Sequence, residues 1–131
     1  MSKDFIKSYL SDSDFEIISS KISEAEKDTR GEIRLSIRQK RHWNERRLTL
    51  QQIALKEFHR LGMQKTKERT GVLILFLFSE RSFHILADEG IHKKVEGDPW
   101  MPIAELLSSH FKKGNYCQGV CEAIGAIGII L

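Results

Sequence analysis

The sequence VLILFLF at residues 72–78 is the longest uninterrupted apolar run in the chain. Because a strand formed by this run would be apolar on both faces, it predicts a central strand that is covered on both sides. The run is far shorter than the ~20 residues that a membrane-spanning helix needs. It therefore predicts the buried sheet of a globular domain.

Two further strand patterns lie on either side of this run in the sequence. Residues 32–38 alternate, with Ile33, Leu35 and Ile37 on one face and polar side chains on the other, which predicts a strand with one solvent-exposed face. After a short turn, residues 82–87 predict a third strand that pairs with the second as a hairpin. A helical crossover makes the first two strands parallel, and the short turn makes the third antiparallel.

Four amphipathic patterns predict helices around these strands. Ser13 with Glu16 and Thr49 with Gln52 have the spacing of capping boxes, which begin the first two helices. Gly62 stands where a left-handed C-terminal cap is expected. The order of elements predicts an α/β fold, an α/β/α sandwich in which a small mixed sheet is flanked by helices. We expect a single domain over residues 1–131, with residues 1–11 as a flexible lead.

The composition argues against several classes of protein. The 131 residues include 21 Lys and Arg against 18 Asp and Glu, and this net charge of +3 is too small to indicate a nucleic-acid binder by itself. Residues 1–13 lack the apolar stretch of a secretory signal. We therefore expect a soluble cytoplasmic protein without direct membrane insertion. The chain contains no Gly-x-Ser-x-Gly elbow, phosphate-binding loop or dinucleotide fingerprint.

The predicted topology brings three segments to one edge of the sheet. These are the start of the first strand, the start of the second and the end of the third, which carry Glu32, then Arg69 and Thr70, then Asp88 and Glu89. The three carboxylates would suit Ca²⁺ or Mg²⁺, and Asp88 could serve as a base or nucleophile. In the structural alternative, Asp88 caps a short helix at residues 90–92 and Glu89 is merely solvated.

The opposite edge carries the loop RQKRHWNERR at residues 38–47. The loop contains the cations Arg41, Arg46 and Arg47 and the aromatic Trp43. The cations could bind phosphates or another anionic surface, and Trp43 could stack on a base. In the alternative interpretation the loop is solvated and Trp43 folds back onto the core. No nucleic-acid motif accompanies the loop, so nucleic acid is the disfavoured partner.

Four short motifs together resemble the TPM domain. They are TxGEI at 29–33, TGVLI at 70–74, ADEGI at 87–91 and FKKGNYxxG at 111–119, and the resemblance runs from about residue 12 to the C-terminus. It implies an α/β/α sandwich. Some members of this family are described as acid phosphatases, some bind calcium at an acidic site, and others are accessory proteins of membrane complexes.

The sequence departs from the family pattern in one place that matters for chemistry. Many members carry an Asp-Asn pair before the Gly-Val-Leu strand, and here Arg69 and Thr70 stand at those positions. A cation in place of a carboxylate weakens any metal site carried over from the family. The strand-three ending DEGIH at 88–92 resembles a short, soluble branch of the family.

Three functions follow from these observations. The first is a noncatalytic interaction or accessory module that docks on a protein or a membrane-complex component through the acidic edge or the basic loop. The second is a weak metal-assisted phosphatase, a phosphomonoester hydrolase, with Asp88 as its catalytic carboxylate, Glu32 and Glu89 helping to hold Ca²⁺ or Mg²⁺, and Arg69 holding the phosphate. The third is a binder of nucleic acid or another polyanion through residues 38–47.

Overall fold

The computed structural model describes residues 6–27, 29–92 and 97–131. In these ranges the chain forms three strands and five α-helices, in the order α1 (Asp12–Glu26), β1 (Glu32–Arg38), α2 (Leu50–Arg60), β2 (Gly71–Leu77), β3 (Ser82–Ala87), α3 (Glu89–His92), α4 (Trp100–Lys112) and α5 (Tyr116–Ile130). The strand order is β1-β2-β3, and β2 runs parallel to β1 and antiparallel to β3. The predicted mixed sheet is therefore confirmed.

Strand β2 is buried along its whole length and separates two apolar layers. Its Val72, Ile74 and Phe76 side chains belong to the core that the sheet shares with α1, α4 and α5. Side chains of the opposite face, Leu73 among them, pack in the layer that contains α2. Helices thus cover both faces of the sheet, which confirms the α/β/α sandwich.

Helix α1 begins two residues earlier than the sequence predicts. Its N-cap is Ser11 and the capping box is completed by Asp14, whereas the sequence pattern predicts Ser13 and Glu16 in these roles. Leu10 explains the difference, because it is buried in the core directly before the cap and fixes where the chain enters the helix. Residues 1–5 of the predicted flexible lead lie outside the described residues.

The other helix signals agree with the structure. Thr49 and Gln52 form the predicted capping box of α2, and Gly62 adopts a left-handed conformation with φ of 72° after the helix ends. At the start of α4, a side-chain oxygen of Asp98 accepts hydrogen bonds from the backbone N–H groups of Trp100 and Met101. Among the described residues, no helix is both long and apolar enough to cross a bilayer.

The polar face of β1 differs from the expectation of a solvent-exposed face. Ser36 is buried and its hydroxyl donates to Oε2 of Glu57 on α2 at 2.8 Å. The Arg38 side chain is only 11% exposed and pairs with Glu45 and Glu57. The prediction was wrong for this half of the strand because α2 and the loop before it bring carboxylates that cover its polar side chains.

Candidate functional site

The acidic edge assembles as the predicted topology requires. Glu32 pairs with Gly71 in the parallel register, and Val72 pairs with Ala87 in the antiparallel one. Backbone hydrogen bonds continue beyond the strands, from Asp88 N to Gly71 O at 2.9 Å and from Gly90 N to Arg69 O at 2.8 Å. The segments around residues 32, 69–71 and 88–90 are therefore neighbours at one edge of the sheet.

Arg69 and Asp88 form a bidentate ion pair at the centre of this edge. Nε of Arg69 lies 2.8 Å from Oδ2 of Asp88, and Nη2 lies 3.0 Å from Oδ1. The contact with Asp88 raises the pKa of Arg69. Arg69 adopts a left-handed backbone with φ of 58°, which is uncommon for a residue other than glycine. Both oxygens of Asp88, the predicted catalytic carboxylate, are thus engaged by a guanidinium.

The other two carboxylates of this edge also have cationic partners. Glu89 lies 3.4 Å from Nη1 of Arg69, and Glu32 lies 2.9 Å from Nε of Arg34. In the part of the chain that the structure describes, no group of three or more His, Cys, Asp or Glu side chains could hold a metal ion. As arranged, the acidic edge does not fit Ca²⁺ or Mg²⁺, because arginines occupy the positions that a cation would take.

Asp88 also has the structural role that was the predicted alternative to catalysis. Its Oδ1 accepts a hydrogen bond from the backbone N–H of Glu89 at 2.8 Å, and its carbonyl accepts from Ile91 N at the start of the short helix α3. The same carboxylate therefore connects β3, α3 and the segment that carries Arg69.

Thr70 is buried and its polar groups are used within the fold. The Thr70 hydroxyl donates to the carbonyl of Arg30 at 3.2 Å, and its backbone N–H donates to Oγ1 of Thr66 at 3.0 Å. A cleft of about 600 Å³ opens beside it, between the 29–31 segment and the end of α5. None of Glu32, Arg69, Asp88 and Glu89 lines this cleft, so the predicted catalytic and metal residues do not face it.

The basic loop at residues 38–47 lies at the opposite edge and is held firmly. The backbone N–H of Ser79, after β2, donates to Gln39 O at 2.7 Å. Arg41 binds Glu80 through Nε at 2.6 Å and also donates to the carbonyls of Glu45 and Leu48. Of the predicted binding residues, Arg41 is therefore occupied by contacts within the protein.

Trp43 is 83% exposed, so the alternative in which it folds back onto the core was wrong. It lies in a single helical turn over Trp43–Glu45, and Arg46 and Arg47 follow directly and are exposed as well. A groove of about 590 Å³ runs beside the indole, and Lys40, His42 and Arg46 contribute to its walls. An aromatic side chain and several cations are thus presented together at this edge.

Glu45 and Glu57 are two buried carboxylates that are not among the predicted site residues. Burial alone would raise the pKa of Glu45, but hydrogen bonds from the His42 backbone, Arg38 and Lys56 outweigh it and lower that pKa to about 2. For Glu57, the hydrogen bond from Arg60 has the largest effect and lowers the pKa to about 2. The network joins β1, the basic loop and α2.

Two signals in the sequence could have identified these carboxylates. His42 and Glu45 have the three-residue spacing of a capping box, which the structure forms. Glu57 falls on the same helical stripe as Ile53 and Phe58, and a charge in an apolar stripe indicates a buried partner. Both signals are local, whereas the shared partner Arg38 belongs to another element, the end of strand β1.

Comparison with known proteins agrees with this fold. The BA42 protein from the psychrophilic bacterium Bizionia argentinensis, solved by NMR, is 32% identical, with a TM-score of 0.82 over 94% of this chain and 81% of that chain. The N-terminal domain of a P. gingivalis protein, also solved by NMR, is 18% identical, with a TM-score of 0.77 over 94% of this chain and 76% of that one, and it supports the fold alone.

No curated protein matches the chain. A family model described as the TPM domain matches residues 6–129, which is nearly the whole sequence. The resemblance drawn from the four sequence motifs is therefore confirmed. The chain belongs to the TPM domain family.

Proposed function

We propose that this protein is a noncatalytic interaction module that docks on an acidic protein surface through its basic edge. We define the basic edge by four of its exposed residues: Lys40, Trp43, Arg46 and Arg47. The observation that supports this proposal is the 83% exposure of Trp43 on a loop that is fixed by the contacts of Arg41 and Glu45. Tryptophan and arginine are the residues that most often dominate the energy of protein interfaces.

The fixed shape of the loop favours binding. Glu45, two residues after Trp43, receives hydrogen bonds from Arg38 Nη1 at 2.5 Å, Lys56 Nζ at 3.0 Å and the His42 backbone at 2.9 Å. A loop that is ordered before binding loses little conformational entropy when a partner arrives. Trp43 can therefore act as a preformed anchor.

The charges around Trp43 favour an acidic partner. Lys40, Arg46 and Arg47 are exposed, and the one carboxylate of the loop, Glu45, is buried beneath them. A carboxylate-rich protein surface would be attracted over a long range and oriented by these cations. We also propose that the protein is cytoplasmic, as the sequence led us to expect. The free thiols of Cys117 and Cys121 are typical of a reducing compartment.

The test is an affinity capture from an extract of the source cells, with the captured proteins identified by mass spectrometry. We compare the wild-type protein with Trp43→Ala and with the pair Arg46→Glu and Arg47→Glu. The matched control is Lys65→Glu with Lys67→Glu, because these lysines are exposed but lie on another loop. We expect both basic-edge variants to lose a partner that the wild type and the control retain.

Two outcomes count against this proposal. Retention of every partner by both basic-edge variants would exclude this edge as the contact. Loss of the captured material after nuclease treatment, with binding that falls steeply with salt, would favour the polyanion alternative instead.

The phosphatase alternative receives less support from the acidic edge. In a phosphatase, Asp88 would need to be available as a base or nucleophile, yet Arg69 and the Glu89 backbone engage both of its oxygens. Hydrolysis of p-nitrophenyl phosphate by wild type and Asp88→Asn separates the hypotheses. We expect no difference between the two proteins, and activity that disappears in Asp88→Asn would favour the enzyme.

A further inference from the structure

A second surface feature lies where the turn between β2 and β3 meets α4 and α5. It is a pocket of about 550 Å³, a size typical of small-molecule sites. No residue of the basic loop lines it, so it is separate from the proposed docking surface. Its walls contain five partly exposed aromatic side chains, namely Tyr9, Phe78, Phe83, Phe111 and Tyr116.

The aromatic walls form an ordered cluster. Tyr9 stacks on Phe78 with ring centroids 4.3 Å apart, and Phe78 stacks on Phe111 at 6.2 Å. Tyr116 meets Tyr9 and Phe111 edge-on, each at 5.0 Å. Rings held in fixed orientations present flat faces and edges to which another planar ring can bind by stacking or edge-to-face contact.

Two cations complete the pocket. Arg81 and Lys112 both line it, and within residues 6–27, 29–92 and 97–131 neither is paired with a carboxylate. Arg81 ends the turn after β2 in a left-handed conformation with φ of 51°, where glycine is the usual residue. Ser108 adds a hydroxyl to the same lining. The pocket thus combines unpaired positive charge with apolar, aromatic walls.

This combination selects one class of ligand. A flat apolar ring matches the aromatic walls, and a carboxylate or phosphate on the ring matches the two cations through charge-assisted hydrogen bonds. A neutral ring would leave Arg81 and Lys112 without a counter-ion, and a free anion would make no use of the aromatic surface. We propose that this pocket binds a small aromatic anion, with the ring against the aromatic cluster and the acidic group between Arg81 and Lys112.

The test uses the full chain and defined probes. We titrate the ¹⁵N-labelled protein with 2-naphthoate and 2-naphthyl phosphate and follow the amide signals by NMR. The matched probes are 2-naphthol, which lacks the anionic group, and inorganic phosphate, which lacks the ring. We expect saturable shifts of amides around Phe83 and Phe111 with at least one anionic naphthalene, and at least about tenfold weaker binding of both matched probes.

Variants of the two cations separate a binding role from a structural one. Arg81→Gly keeps the turn, because glycine readily adopts positive φ, and Lys112→Gln changes an exposed residue. Each should weaken binding about tenfold without lowering the melting temperature. Lys113→Gln is the control, since Lys113 is exposed but does not line the pocket.

The titrations can support or overturn the proposed binding of an aromatic anion. Preference for the carboxylate or for the phosphate probe would identify the acidic group, and either supports the proposal. An absence of saturable shifts at the pocket overturns it. Equal affinities of Arg81→Gly, Lys112→Gln and Lys113→Gln for the anionic probes would also overturn it.

Discussion

Glu45 lies in the middle of a basic loop and is fully buried beneath it. It binds Arg38 from β1 and Lys56 from α2, and it also caps the turn that carries Trp43. In the sequence, Glu45 is the one carboxylate among the cations of residues 38–47. The spacing of His42 and Glu45 indicates a cap but not burial, because burial depends on Arg38, which the pairing of β1 in the sheet directs inward.

Glu45→Gln is therefore expected to lower the free energy of unfolding by about 3 kcal/mol, since removal of one partner leaves Arg38 without its main counter-ion. Urea unfolding followed by circular dichroism measures this loss. Glu80→Gln is the matched control in the same region, because the Arg41–Glu80 pair is more exposed and should contribute only about 0–1 kcal/mol. Equal losses in the two variants would contradict the role assigned to Glu45.

The position of Arg69 at the acidic edge could be predicted from the sequence, but its pairing with Asp88 could not. The resemblance to the TPM domain implied a cation at a position where many members carry a carboxylate, and the predicted topology placed Arg69 near Asp88. Arg69 makes its bidentate ion pair from a left-handed backbone conformation, which no local pattern indicated. The location of the site was thus predictable, whereas the pairing that occupies it was not.

The hydrophobic periodicity of the sequence predicts the ends of some strands better than those of others. The predicted bounds of β1 and β3 agree with the structure, because turn residues flank each apolar pattern. Strand β2 begins at Gly71, one residue before the predicted start, because Gly71 pairs with Glu32 of the neighbouring strand. Such pairing depends on a second segment, so a pattern within one segment does not reveal it.

Helix α3 packs so closely on the preceding loop that one position permits only glycine. A Cβ atom on Gly90 would lie 2.0 Å from the carbonyl oxygen of Glu68 and 2.5 Å from that of Arg69. We expect Gly90→Ala to lower the free energy of unfolding by about 3 kcal/mol, because backbone atoms would have to move. Thermal unfolding monitored by calorimetry measures the change.

The control for this substitution is Gly125→Ala in α5. There the nearest atom to the added Cβ is the flexible Cε of Lys21, at 3.3 Å. Alanine also favours a helix over glycine, so the expected change is within about 1 kcal/mol of zero. If the two alanine variants were equally stable, the close approach of α3 to the 68–69 segment would not constrain the fold.

For the molecule as a whole, the buried carboxylates connect stability to pH. The pKa values of Glu45 and Glu57 are lowered from 4.5 to about 2 in the folded protein. Each ionised carboxylate therefore stabilises the fold above its unfolded pKa, and this contribution is lost as the pH falls from about 4.5 towards 2. The loss should be about 2–3 kcal/mol for each group.

Urea unfolding at a series of pH values between 6 and 2.5 tests this expectation. The wild-type free energy of unfolding should fall across the window, and Glu57→Gln should show a shallower fall because it lacks one of the two groups. A pH-independent stability would contradict the lowered pKa values. Parallel slopes for wild type and variant would remove Glu57 from the explanation.

Strand β1 is an edge strand of the three-stranded sheet, because among the described strands it pairs with β2 alone. An edge strand is a template to which a strand of another chain can add, and long apolar edge strands promote fibril formation. In β1 the inward charge of Arg38 pairs with Glu45, and the buried hydroxyl of Ser36 donates to Glu57. An inward-pointing charge is one of the features by which edge strands avoid pairing with another chain, so we expect Arg38 to disfavour aggregation through β1.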